Sequence, residues 1–455
     1  MSRSQQYVDE LVRRTNLMVQ FVNSQIRPGA RYCQMQPKMC HDAKFPPEFR
    51  VAKTVEEVRA MDRMQSPGRI VDRVLIFFQH HLWIESYEPI TYRQTYDLSE
   101  RRRKTRSIRE LRIKRSCRSS QPLTADLTKP QQEYSENAYY TIEPLSNLDL
   151  TTEQPIKLRT FKPKYHLTMA IENTTLSDFI AMDNTYESRI SLRADLIRNK
   201  RHDVLAHRPA VHPSVVEFYS WMTLTYLPRR FPTVYTQTPT GLLNTVTQHI
   251  LPLYPSDAEQ ALELLGSNVD CDFLFLLPIE EEGKDQGKYR LEGFITCFPS
   301  GFNTREKLGL SLADIHTPLP GYASKLQLSM DRFFAALPVG RIVKRHNWTI
   351  TTHTRLHAIS GNHMSEEELA TGVGQEEVDL SQTVLRCERQ TLHRLPETKA
   401  IVFAFKTYTY PVRELREEGN GEALADAIEG LGKGNVPEIT VYKRQVLWGE
   451  KVARF

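Results

Sequence analysis

One imidazole stands out by its setting. His316 lies in the run Ile315-His316-Thr317-Pro318-Leu319-Pro320-Gly321-Tyr322, just ahead of two prolines and a glycine. Proline fixes φ and removes a backbone donor, so this histidine occupies a stiff corner. A short amphipathic segment precedes it, and a helix is predicted over 323–337. An imidazole held stiffly between apolar helix faces can serve as a metal or haem ligand. The same setting suits a buried histidine donating to a carbonyl, which on residue chemistry alone is the commoner role.

The run 386–395, RCERQTLHRL, has the highest polar density of any predicted strand. If Arg386, Glu388, Gln390 and Leu392 share one face, Cys387, Arg389, Thr391 and His393 share the other. One of these faces must meet the core or a pocket. A buried Glu388 or Gln390 there needs a hydrogen-bonding partner. A structural network, for example Glu388 with Arg345, meets that need as well as a ligand does. Trp348 and Tyr408 have the size to line an apolar pocket, although aromatic strand residues usually build core. Arg305, Lys307, Arg345 and Arg389 are candidate partners for an anion, guanidinium being the better geometric match to a carboxylate. Surface ion pairing is their ordinary alternative. His346, His353, His357 and His363 match no usual zinc spacing, and the first two fall on opposite faces of one strand.

The elements that must position these residues follow from periodicity and punctuation. Helices are predicted over 178–198, over 213–226 up to a break at Leu227-Pro228-Arg229-Arg230-Phe231-Pro232, and over 257–265 up to Gly266. Strands are predicted over 273–277 and 289–298, with a polar turn between. After the His316 stretch come strands over 341–352, 383–395 and 400–410, and a polar, mobile insertion over 360–380. A helix over 421–431 and a last strand over 441–448 close the chain. Residues 1–156 are less readable. An amphipathic helix over 5–25, a helix start with Thr54 as N-cap and Glu57 at its third position, and a mixed apolar run over 70–83 are the only signals there.

The chain has 455 residues, room for roughly two or three domains. With 40% hydrophobic and 25% charged residues it reads as a soluble globular protein. No run approaches the length of a membrane span and no secretory signal is visible. The six cysteines form no C-x-x-C pair, which disfavours zinc and iron–sulfur sites and fits free thiols in a reducing, cytoplasmic setting. Charge is uneven. Residues 101–118 hold ten Arg or Lys and one Glu, a local +9, so the rest of this +5 chain carries 5 − 9 = −4. That run reads first as a solvated, disordered linker. A nuclear address or nucleic-acid patch is the second reading, weakened by the lack of interleaved aromatics. A translated intron is the third.

Several uncommon words occur in one order: FKPKYHLTM (161–169), DNTY (183–186), CFPSGFNTREKLGL (297–310), IHTPLPGY (315–322), NW (347–348) and RCERQTLHRLPETKAIVFAFKTYTYPV (386–412). On these blocks the chain resembles the alpha subunit of haem-dependent oxidative N-demethylase and its relatives. The resemblance implies an α+β fold, a PAS-like antiparallel sheet with haem-side helices preceded by helical additions, over 157–455. Two strands, a helical crossing that carries His316 and a three-stranded meander agree with that order. It implies haem b on one protein histidine, with His316 as the candidate and His166 as the second choice. Arg305, Lys307, Arg345 and Arg389 become candidate propionate partners. Glu388, Gln390 and Trp348 become candidates for the substrate side, where a carboxylate could hold a small alkylammonium ion.

The implied reaction is O2-dependent demethylation of a small secondary amine such as dimethylamine, releasing formaldehyde. Electrons would come from NADPH through flavin and iron–sulfur carriers on partner proteins, because this chain carries neither a dinucleotide fingerprint nor a four-cysteine pattern. An external reductase is therefore the expected partner, and nucleic acid is not. Two other classes compete with this reading. One is a haem or gas sensor without turnover, which reductase-dependent amine consumption would exclude. The other is a cofactor-free interaction protein, which stoichiometric haem would exclude.

Overall fold

The computed structural model describes residues 134–372 and 377–455, plus a two-residue antiparallel pairing of Arg50–Val51 with Ile84–Glu85. The chain divides into two compact units between Asp126 and Leu127. The signals over 5–25, 54–57 and 70–83 and the basic run 101–118 lie outside the described residues. The second unit is an α+β fold. Its folded part reaches back beyond residue 157, since Tyr139 is buried against Trp221 and His393.

The organising element is a seven-stranded antiparallel sheet. Its strands are β1 (Glu172–Thr174), β2 (Leu205–His207), β6 (Asp272–Pro278), β7 (Tyr289–Ile295), β8 (Ile342–Thr351), β9 (Val384–Arg394) and β10 (Ile401–Pro411). Between them, β3 (Tyr235–Thr238), β4 (Gly241–Asn244) and β5 (His249–Pro252) form a small separate sheet. The large sheet runs β1-β8-β9-β10-β6-β7-β2. The meander β8-β9-β10 thus lies beside the first hairpin strand, with β10 against β6. Long strands rich in β-branched and aromatic residues make these pairings.

Both faces of the sheet are covered, and every residue of β9 is buried. One face meets α1 (Tyr186–Asn199), α2 (His212–Trp221) and α3 (Ala258–Asn268) through an aromatic core that includes Phe179, Phe218, Trp221, Tyr226 and Phe273. Burial of each such ring contributes about 2–3 kcal/mol. The other face meets α4 (Leu312–Ile315) and α5 (Gln327–Ala336) through Leu312, Tyr322, Met330, Phe334, Val343 and Leu392. At the free end of the meander, α6 (Gly421–Gly430) and α7 (Gln445–Arg454) pack on Ile350, Leu385, Tyr408 and Tyr410.

Several predicted elements differ from the observed ones, each for a local reason. The first helix begins at Tyr186, not 178. Asp183 Oδ1 accepts from the Thr185 amide at 3.0 Å and its hydroxyl at 2.5 Å, and this side-chain turn holds the preceding residues out of helix. Pro228 does not break the second helix. A π turn, Met222–Tyr226, precedes it, and helix continues through Leu227–Arg230. Gly266 does not stop α3 but lies within it. A Cβ there would come within 2.6 Å of Ile295 Cγ1, so glycine lets the helix lie close on β7. The helix predicted over 323–337 is two pieces, Tyr322–Lys325 and α5, divided at Leu326. The insertion over 360–380 holds a helix, Glu366–Thr371, started by a Ser365/Glu368 capping box. The strand predicted over 441–448 is instead Ile439–Tyr442 and α7, where Trp448 and Val452 lie one turn apart in the core beside α6.

Candidate functional site

The segment after β7 is held by buried charge. Arg193 on α1 donates to Asp272 Oδ1 at 2.7 Å, to Gly266 O at 2.7 Å and to Cys271 O at 2.8 Å. Asp272 in turn accepts from the Cys297 and Phe298 amides at 2.8 and 2.9 Å. Arg386 on β9 then ties down the next turn, donating to Phe298 O at 2.8 Å and Pro299 O at 3.2 Å. Two arginines therefore fix where the block 297–310 begins.

Within that block Lys307 Nζ donates to Ile315 O at 3.0 Å and lies 5.0 Å from the Phe302 ring. Ser311 caps α4, and His316 follows directly at the helix end. His316 Nδ1 lies 2.7 Å from Leu312 O, and its ring stacks on Tyr322 at 4.7 Å and 10°. The carbonyl fixes the tautomer. Nδ1 carries the proton and donates, so Nε2 carries the lone pair, and among the described residues it has no hydrogen-bond partner. The reading of a buried histidine donating to a carbonyl is met at Nδ1, and Nε2 is left free. Burial first, with smaller contributions from Lys307 and Arg345, brings its pKa down to about 4 against the Leu312 hydrogen bond, so the ring is neutral near pH 7.

The sheet face below is polar in an unusual way. Arg345 on β8 stands opposite Gln390 on β9, and Asn347 opposite Glu388. Gln390 Nε2 donates to Glu388 Oε2 at 2.8 Å. Glu388 Oε1, Gln390 Oε1 and Arg345 Nε are all buried without a partner. An unpaired buried polar atom costs about 1–3 kcal/mol, so these are three positions that a water or a ligand would satisfy. Burial lowers the Arg345 pKa, with Tyr165 and Glu388 opposing. Lys443 Nζ donates to Trp348 O at 2.5 Å, and burial together with Arg345 lowers its pKa to about 8. Among the described residues no carboxylate lies within ion-pair distance of Lys307, Arg345 or Lys443.

Electrostatics links these groups: Lys307 and Arg345 act on His316, Lys307 and Lys443 on His363, and Glu388 on Arg345, Lys443 and Tyr442. Lys307, His316, Arg345, His363 and Tyr442 are enclosed by protein yet keep part of their surface accessible. Leu274 and Phe403 do the same in mid-strand on a sheet covered on both faces.

Other candidates lie elsewhere. Trp348 pairs with Cys387 in register, so its side chain is on the face opposite Glu388, against Phe161 at 6.0 Å. Tyr408 shares that opposite face. Arg389 is also there, bonded to Phe179 O at 3.0 Å and paired with Asp178 at 2.7 Å. Arg305 secures the entry to β2, donating to His202 O and, at 3.2 Å, to Leu205 O. His166 is exposed on an extended arm while its neighbours Tyr165 and Leu167 turn inward. Sequence reasoning missed Tyr165, Tyr442, Lys443 and the pocket setting of His363. Three of these flank stretches with no clear period, and only contacts across the fold bring them in.

No helix among the described residues is long and apolar enough to cross a membrane. Among them no three His, Cys, Asp or Glu side chains converge on a metal position, and Cys271, Cys297 and Cys387 are separate buried thiols. Residues 170–453 match the family described as haem-dependent oxidative N-demethylase, alpha subunit-like. That span exceeds half the chain, and the chain belongs to this family. The donor set fits haem: a neutral imidazole with one nitrogen anchored and one open, and cations with no carboxylate within ion-pair distance among the described residues.

Proposed function

We propose that this member of the haem-dependent oxidative N-demethylase alpha-subunit-like family binds haem b through His316 and demethylates a small secondary amine. The observation that carries the reading is the His316 ring, fixed on Leu312 O with Nε2 open beside unbalanced cations. We further take the sheet as PAS-like. In support, two strands, a helical crossing and a three-stranded meander pair so that the last strand lies beside the first.

Each residue has a definable task. Leu312 O orients the ring, and the hydrogen bond it accepts makes Nε2 a stronger donor to iron. Arg345 and Lys307 supply positive charge for the two propionates. Haem, when bound, supplies the one-electron iron chemistry that O2 reduction needs. Glu388 Oε1 and Gln390 Oε1 accept N–H bonds from an alkylammonium ion and hold it in one orientation. Tyr165 and Tyr442 exclude water from that position. For dimethylamine, one O2, two electrons and two protons yield methylamine, formaldehyde and one water. Electrons come from an external NADPH-linked reductase through flavin and iron–sulfur carriers.

The test is haemin titration of the purified full chain, with dithionite and CO, for wild type and His316→Ala. Wild type is expected to show a one-to-one Soret band that moves with CO, and the variant to lose stable uptake while keeping its fold. Normal haem content and Soret position in His316→Ala would overturn the ligand assignment. No uptake by wild type would overturn the haem reading.

A further inference from the structure

A second imidazole is mounted in the same way as the first. His363 Nδ1 lies 3.4 Å from Gly301 O, and its ring stacks on Tyr442 at 4.4 Å and 25°. His316 shows the same arrangement, Nδ1 on a backbone carbonyl and the ring on a tyrosine. A continuous chain of contacts joins the two. Gly301 touches His363, Phe302 follows Gly301, Lys307 lies over Phe302, and Lys307 bonds Ile315, which precedes His316. Gly301 is required at this point. Its φ is 76°, and a Cβ there would come within 2.8 Å of His363 Nδ1. The fold brings backbone against this imidazole so closely that only glycine fits.

Shared neighbours link the two imidazoles. Arg345 bears on His316 and Glu388, Tyr442 bears on Glu388 and stacks on His363, and Lys307 bears on both histidines. His363 Nε2, like that of His316, has no partner among the described residues, and burial first, then nearby cations, bring the ring's pKa to about 4. The two differ in stiffness. His316 has a 2.7 Å anchor at the end of a capped helix, and His363 a 3.4 Å anchor on a loop. An axial ligand needs the stiffer mount, and a group that meets exchanging small molecules does not.

We infer that His363 is the second functional imidazole of this pocket, and that its open Nε2 exchanges a proton or hydrogen bond with small molecules bound there. The inference rests on the haem reading above and adds a residue that the reading does not use. It also names a ligand class: small molecules that bring an N–H or ionisable proton to the site.

Hydrogen cyanide is a suitable probe. It binds ferric haem as cyanide, so its proton must pass to a base as the iron–carbon bond forms, with no change of oxidation state. The experiment measures cyanide association at pH 7 by stopped flow on the full chain loaded with haemin, for wild type, His363→Leu and His363→Gln. Both variants should keep one-to-one haem uptake but bind cyanide at least about tenfold more slowly, because neither side chain accepts a proton. Glutamine is polar, and keeps the fold testable should leucine fail to fold. Association rates within twofold of wild type in either folded variant would overturn the inference and leave the haem reading intact. Loss of haem by His363→Gln with retention by His316→Ala would also overturn it, by exchanging the two roles. Failure of wild type to take up haem would remove the reading on which it rests.

Discussion

Replacing Arg193 with leucine tests whether the buried clamp beneath the site carries the fold. Arg193 and Asp272 are almost wholly inaccessible, at 0% and 1% side-chain exposure. The substitution deletes three charged hydrogen bonds at 2.7–2.8 Å and leaves Asp272 facing two backbone donors with no cation. Breaking a buried pair from one side costs about 3–5 kcal/mol, and total stability is about 5–15 kcal/mol. We therefore expect a loss of about 4 kcal/mol, up to half or more of the whole. With a urea slope of about 3 kcal/mol/M the unfolding midpoint falls by about 1 M. Tryptophan fluorescence reports it, since Trp221, Trp348 and Trp448 lie in this unit. Arg198→Leu is the control. Its 2.7 Å pair with Asp195 is 70% and 57% exposed, so its loss should cost under about 0.5 kcal/mol. Adding Asp272→Asn to Arg193→Leu should recover part of the stability, because the stranded charge is gone. A midpoint for Arg193→Leu within about 0.3 M of wild type, or additive behaviour in the double variant, would refute the reasoning.

Two further outcomes follow from the site itself. His316 and His363 have folded pKa values of about 4 against an ordinary 6.5, so above 6.5 both rings are neutral folded and unfolded. As pH falls through 6.5 toward 4 the unfolded chain binds protons first, and stability should drop by about 2 kcal/mol per ring between pH 7 and pH 5. Urea midpoints of the haem-free protein at both pH values measure this, and an equal slope in His316→Ala would contradict it. Gly434→Ala should dislodge the 161–169 arm, because a Cβ would lie 1.6 Å from Tyr165 O. We expect about 2 kcal/mol of destabilisation and at least tenfold weaker haem binding, and unchanged affinity in a stable variant would separate the arm from the pocket.

The sheet was legible because its strands combine length with β-forming residues. Those observed at Ile342–Thr351, Val384–Arg394 and Ile401–Pro411 lie within a residue of expectation at either end. Glu388, Gln390 and Arg345 share one sheet face because they alternate on adjacent strands, while Lys307, in a turn before the corner, bonds Ile315 O next to His316. What could not be read was direction and long-range approach. Alternation already set Arg389 on the face away from Glu388, but not which face meets α1–α3, and Trp348 shares the Arg389 face. His166 is turned out between two inward neighbours. Val441 and Trp448 favour strand by type, yet the partner they meet is a helix, and tertiary packing decides. His363 depends on Gly301, 62 residues earlier, and no local pattern encodes that approach.

The two faces of the sheet show why burial alone does not locate the site. On the face toward α1–α3 the strand cations have carboxylates: Arg389 and Lys344 share Asp178, and Lys406 meets Asp183 at 2.7 Å and Asp270 at 3.1 Å. Lys406 keeps its charge there, its pKa raised against burial by those carboxylates. On the face toward α4, Arg345 has no carboxylate within ion-pair distance among the described residues, and burial lowers its pKa against the more distant Glu388. Lys443 at the strand edge has the same imbalance. A protein that needed only stability would close that face with apolar residues, since a buried pair rarely outperforms them and a lone charge never does. Under the proposed reading, Arg345 and Lys443, which have no carboxylate within ion-pair distance among the described residues, are where the carboxylates of a haem would be received, and the open His316 nitrogen is where its iron would be held.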